Sequence, residues 1–71
     1  MTEADAINIA AKYAQEQGWP WLEPVVCRRR KRWFSNGVFV IRTNAGMRGG
    51  NVVLTIDATD GKVREAQFLR R

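Results

Sequence analysis

Histidine is absent from this 71-residue chain, cysteine occurs once and proline twice. Without histidine there is no Ser–His or Cys–His nucleophilic pair. A single thiol, Cys27, closes no intramolecular disulfide and falls short of the several Cys or His ligands of a closed structural zinc site. The basic residues after it would favour a thiolate, but a lone strand cysteine reads first as a half-buried packing residue. No apolar run is long enough to cross a bilayer. The N-terminal "MTEADAINIA" carries two acids and lacks the basic start of a secretory signal, so a cytoplasmic, reducing setting is the expectation.

Phosphate-loop and calcium-loop signatures are missing as well. "GMRGG" lacks the Lys-Ser/Thr ending and the helix start of a phosphate-binding loop, and "DATDGKVRE" departs from the EF-hand spacing. Glu23, Asp57, Asp60 and Glu65 form no acid–base motif. No catalytic residue, cofactor or metal is expected. Apolar residues make up 45% of the chain and charged residues 27%, an ordinary globular balance, and the length allows one domain, residues 1–71. The formal charge of +5 favours acidic partners, be they nucleic acid, anionic lipid or a protein face.

What is present reads as one helix followed by four strands. Thr2 can cap a helix over about 3–17, with Asp5 completing a capping box. Ala6, Ile7, Ile9, Ala10, Tyr13 and Ala14 recur at helical spacing along one apolar arc. Gly18 supplies the left-handed exit, Trp19 can fold back on the last turn, and Pro20 stops continuation. Trp19, Trp21 and Leu22 are then anchors closing one end of the core. After Pro24 the pattern turns to β, with strands over about 25–34, 38–43, 52–57 and 63–69. Asp60-Gly61 marks a tight turn, and "NAGMRGG" between the second and third strands reads as a mobile loop. The fold class is α+β, an N-terminal helix packed on a four-stranded antiparallel meander.

Asn36-Gly37 is the preferred pair for a two-residue hairpin turn. With that turn, Phe34 pairs with Phe39, Trp33 with Val40 and Arg32 with Ile41. Trp33, Lys31 and Arg29 then share one face, and Phe34, Arg32, Arg30 and Arg28 the other. A single helix covers one face, so an aromatic or aliphatic patch rimmed by charge stays open. The five consecutive basic residues Arg28, Arg29, Arg30, Lys31 and Arg32 have a bland explanation, the protection of an edge strand by charge. They also have two functional ones. In the first, the arginines steer and pair with another protein, and Trp33 with Val40 or Phe34 with Phe39 provides the anchors. In the second, they contact nucleic-acid phosphates while Trp33, Phe34 and Phe39 stack bases. A homodimer through the open face would offset the small core.

An amphipathic helix ending in Gly-Trp, "AINIAAKYAQEQGW" at 6–19, and the strand-turn-strand "VLTIDATDGKV" at 53–63 resemble the small PepSY-like domains. The same pattern is similar to that of short immunity proteins of bacterial polymorphic toxin systems. The resemblance implies a four-stranded antiparallel sheet crossed by one helix, without catalysis, acting on another protein. That partner would be a protease or the rest of a larger protein in the first case, and a cognate toxin in the second. Immunity proteins against nucleases tend to be acidic, so a charge of +5 implies an acidic toxin face instead.

Overall fold

The computed structural model describes residues 1–32, 35–47 and 49–69. Helix α1 spans Glu3–Gln17 and is followed by strands β1 (Val26–Arg32), β2 (Ser35–Arg42), β3 (Asn51–Asp57) and β4 (Val63–Leu69). The strands form one antiparallel sheet in the order β1-β2-β3-β4, so the expected α+β meander is the observed fold.

The helix ends are set by local chemistry. The Asp5 amide donates to Thr2 Oγ1 at 3.2 Å, and the Thr2 amide donates to Asp5 Oδ2 at 3.0 Å, a reciprocal capping box. At the other end Gly18 is left-handed, and the Trp19 amide donates to the Ala14 carbonyl at 2.9 Å. The face turned to the sheet is a stripe of Ala6, Ala10 and Ala14, all fully buried. Each of the three presents only a methyl group to the core, and Ile7, Ile9 and Tyr13 pack beside them. Bulk comes from the sheet: Phe39, Ile41, Val52, Leu54 and Ile56 fill the layer beneath α1. Trp19 closes the end of this core as expected, lying 5.8 Å from Tyr13 and 6.1 Å from Phe68 between ring centroids. Leu22, expected to anchor beside it, is exposed.

The β1–β2 hairpin corrects the expected register. Arg28 stands opposite Val40, Arg29 opposite Phe39 and Arg32 opposite Ser35. Asn36-Gly37 therefore lies inside β2 and is not the turn; Trp33 and Phe34, the remainder of the strand expected over 25–34, lie outside the described residues. One residue of β1 separates Arg30 from Arg32, while Asn36 and Gly37 separate their partners Ser35 and Val38, so β2 carries an extra residue. Gly37, at φ 87°, takes up this bulge. The positive-φ tolerance that makes Asn-Gly a good turn serves the bulge equally well. A Cβ on Gly37 would collide with the Arg30 carbonyl oxygen.

The connection after β2, expected as a mobile loop, is tied to the rest of the chain at several of its described residues. The Asn44 amide donates to the Leu22 carbonyl at 2.8 Å and the Ala45 amide to that of Pro24 at 3.1 Å. Buried Asn51 donates through Nδ2 to the carbonyls of Thr43 and Asn44, at 2.8 and 3.0 Å, and the Val52 amide donates to Thr43 Oγ1 at 2.9 Å. A second bulge follows the β3–β4 turn, where Thr55 pairs with Glu65 but Ile56 with Val63. The extra residue, Arg64, reaches Asp57 Oδ2 at 2.9 Å and Asp60 Oδ2 at 3.4 Å.

Two outcomes follow. Gly37→Ala combines a left-handed backbone with a backbone collision and should cost about 2 kcal/mol or more in urea unfolding, whereas an exposed alanine substitution such as Gln15→Ala stays within about 0.5 kcal/mol. The Asp57 carboxyl is held below the usual range first by the Thr59 amide and then by Arg64. A carboxyl lowered on folding adds stability above its unfolded pKa of about 4 and loses it as pH falls through the folded value. Asp57→Asn should flatten the acid limb of a stability-versus-pH curve below about pH 4. A limb identical to that of the wild type would contradict the assignment.

Candidate partner-binding surface

Alternation along the observed register decides which side chains share the face that α1 leaves open. Three cross-strand rows make it up. Arg28, Val40, Thr55 and Glu65 form one; Arg30, Val38 and Asp57 a second; Val26, Arg42, Val53 and Gln67 a third. Their charge is basic on β1 and β2, at Arg28, Arg30 and Arg42, and acidic on β3 and β4, at Asp57 and Glu65. On the opposite face Cys27, Phe39 and Ile41 pack toward the helix.

The register change reassigns the expected site. Val40 stands opposite Arg28, five positions from the expected Trp33, and an odd displacement exchanges faces. Val40 accordingly joins Arg28 and Arg30 on the open side. Phe39, one of the alternative anchors, is only 2% exposed and belongs to the core, so it is not available to a partner. Arg29 is turned to the same side as Phe39, and its guanidinium carbon sits 5.6 Å from the ring centroid. It serves as a lid on the core through cation–π contact and the packing of its stem. Trp33 and Phe34 lie outside the described residues, as does the side chain of Arg32.

Two grooves on this face carry the basic residues. The first, about 350 Å³, is lined by Val26, Arg28, Arg30, Val40 and Arg42 and is closed at one end by Ala45 and Gly46 of the loop after β2. The second, about 310 Å³, runs from Arg30 and Lys31 over Val38 and Val40 to Thr55 and Glu65. Val38 is only 8% exposed, which leaves Val26 and Val40 as the accessible apolar floor. Arg42 and Val26 were missed in the sequence reading. Their signal is the alternation around buried Ile41, which becomes legible only once Arg42 is known to oppose Val26.

The remaining chemistry of the basic run is structural. Cys27 is half-buried, and burial, followed by the nearby charge of Glu3, pushes its thiol pKa up. That is the opposite of an activated nucleophile. Asp57 and Asp60 are joined through Arg64 in the β3–β4 hairpin. Among the described residues no helix is long and apolar enough to cross a membrane.

In comparisons with known proteins the chain matches no family model, no curated protein and no solved structure at a significant level. These comparisons bear on neither of the families that the sequence pattern resembles.

Arginines of one run should behave differently when removed. Arg29→Ala uncovers Phe39 and should lose about 1 kcal/mol of stability, while Arg28→Ala and Arg30→Ala change it by less than about 0.5 kcal/mol. Denaturant midpoints of the three variants decide it; equal effects would contradict the lid role of Arg29.

Proposed function

We propose that this chain is a non-catalytic binding domain that docks an acidic protein surface on its open sheet face. The observation that carries this reading is the groove where Arg28, Arg30 and Arg42 surround a floor of Val26 and Val40. Guanidinium groups pair with carboxylates in bidentate geometry and steer an acidic partner toward the face. The valine floor receives an apolar anchor from that partner, and the surrounding charge sets its orientation.

Charge also argues against a second copy of the chain as the occupant. Four of the basic residues line the two grooves, while Glu65 is the acid that lines them and Asp57 is engaged by Arg64. An isologous dimer would set two predominantly basic faces against each other. Nucleic acid fits the charge but not the floor. Phe39 is withdrawn into the core, and among the described residues the two grooves are floored by aliphatic side chains, which give a base no face to stack on. A PepSY-like inhibitor and a toxin-neutralising immunity protein would both work in this manner, by covering an acidic patch of another protein.

The test uses a partner isolated with the wild-type chain, purified, and titrated by calorimetry against variants. The double variant Arg28→Glu/Arg42→Glu and the single variant Val26→Asp, all at exposed positions, should each weaken binding at least about tenfold, which is about 1.4 kcal/mol. Lys12→Glu, on the exposed side of the helix, should leave it unchanged. Undiminished binding by the open-face variants would reject the surface. Saturable binding of short oligonucleotides with a log–log salt slope near about −3 would instead favour phosphate recognition.

A further inference from the structure

Open-face docking calls for an acidic partner, and the strand register narrows the kind of acid. Val40 stands opposite Arg28, Arg42 is two residues along the same strand, and Arg30 is two residues along β1 from Arg28. Residues two apart on a strand lie about 7 Å from each other on one face, and diagonal cross-strand neighbours about 7–8 Å apart. Arg30 and Arg42 therefore flank Arg28 on either side, and each is within the length of an extended arginine side chain of a point above Val40. All three are exposed, and all three line the groove of about 350 Å³.

No carboxylate offsets this charge. Asp57 and Asp60 are paired with Arg64, and Arg28, Arg30 and Arg42 enter no ion pair among the described residues. Glu65 lines the neighbouring groove with Arg30 and Lys31 and does not line this one. Three guanidinium forks that reach one point match an anion with three acceptor oxygens and more than one charge. A carboxylate offers one charge on two oxygens, and a phosphodiester offers one charge on two free oxygens, strung out along a backbone. A phosphorylated side chain carries about −1.5 to −2 at neutral pH on three acceptor oxygens.

The floor adds a second requirement. Val26 and Val40 lie beneath the arginines, which suits an apolar stem below the charged group. We infer that this groove reads a phosphorylated side chain of the acidic partner. Arg28, Arg30 and Arg42 take the phosphoryl oxygens, and the stem rests on Val26 and Val40. Phosphoryl recognition rests on the open-face reading and names the acid that this face selects. Specificity then comes from the charge and shape of one group, since a lone carboxylate leaves part of the arginine set unmatched.

The probe is a fluorescein-labelled peptide with one phosphotyrosine flanked by valine and threonine, measured by anisotropy at fixed salt. Its controls carry, at the same place, an unmodified tyrosine or two adjacent glutamates that match the phosphoryl charge. The phosphopeptide should bind at least about tenfold more tightly than either control. Arg28→Ala and Arg42→Ala, both at exposed positions, should each weaken it at least about fivefold, and Lys12→Ala should leave it within about twofold. Equal binding of the phosphorylated and diglutamate peptides would overturn phosphoryl recognition and leave open-face docking of carboxylates standing. Binding of neither acidic peptide at low salt would count against both. Undiminished phosphopeptide binding by the two arginine variants would put the ligand outside this groove and overturn the assignment. Displacement of the phosphopeptide by inorganic phosphate, or by an oligonucleotide, at an equal phosphate concentration would also overturn it, in favour of a free-ion or phosphodiester site.

Discussion

An extra residue at Gly37 governs the placement of every side chain in β1. A β-strand alternates with period two, so any odd displacement between neighbouring strands moves a whole set of residues from one face to the other. The bulge at Asn36-Gly37 lets Arg32 pair with Ser35 while Arg28 faces Val40. Glycine is needed because the backbone turns left-handed at φ 87° with the Arg30 carbonyl pressed against the position of a Cβ. The burial of Phe39, the exposure of Arg28 and Arg30, and the position of Arg29 on the core all go with this register.

The core that results is lopsided, with methyl groups on the helix and large side chains on the sheet. Ala6, Ala10 and Ala14 bring only methyl groups to the centre of the core, and Ile7, Ile9 and Tyr13 pack at its boundary. Arg29 contributes there, since a guanidinium can cover an aromatic face while remaining solvated. Tyr13, Trp19 and Phe68 close another part of the boundary by ring contacts. In a chain this short, where little surface is buried on folding, such covers at the edge of the core matter as much as its centre.

Placement of charge then ties architecture to recognition. Arg28, Arg30 and Arg42 converge on one groove although Arg42 is distant from the run in sequence. The connection after β2 lines that groove with Ala45 and Gly46, and its Asn44 and Ala45 amides are hydrogen-bonded to the Leu22–Pro24 segment. The aliphatic floor and the basic rim are the two features on which the proposed docking of an acidic protein rests.

Several features were determined by the sequence alone. Thr2 with Asp5, the alanine-rich arc and Gly18-Trp19 define the helix through neighbouring residues only, so their outcome is independent of the rest of the chain. The strand pattern and the absence of histidine likewise set the fold class and narrow the chemistry. Tertiary structure decided the register of β1 on β2, and with it the membership of the site. Asn-Gly is compatible with both a turn and a bulge because each needs positive φ. Choosing between them depends on which set of side chains, Phe39 with Ile41 or Val38 with Val40, packs against the helix. That choice is a long-range packing energy, and no local stretch of the chain contains it.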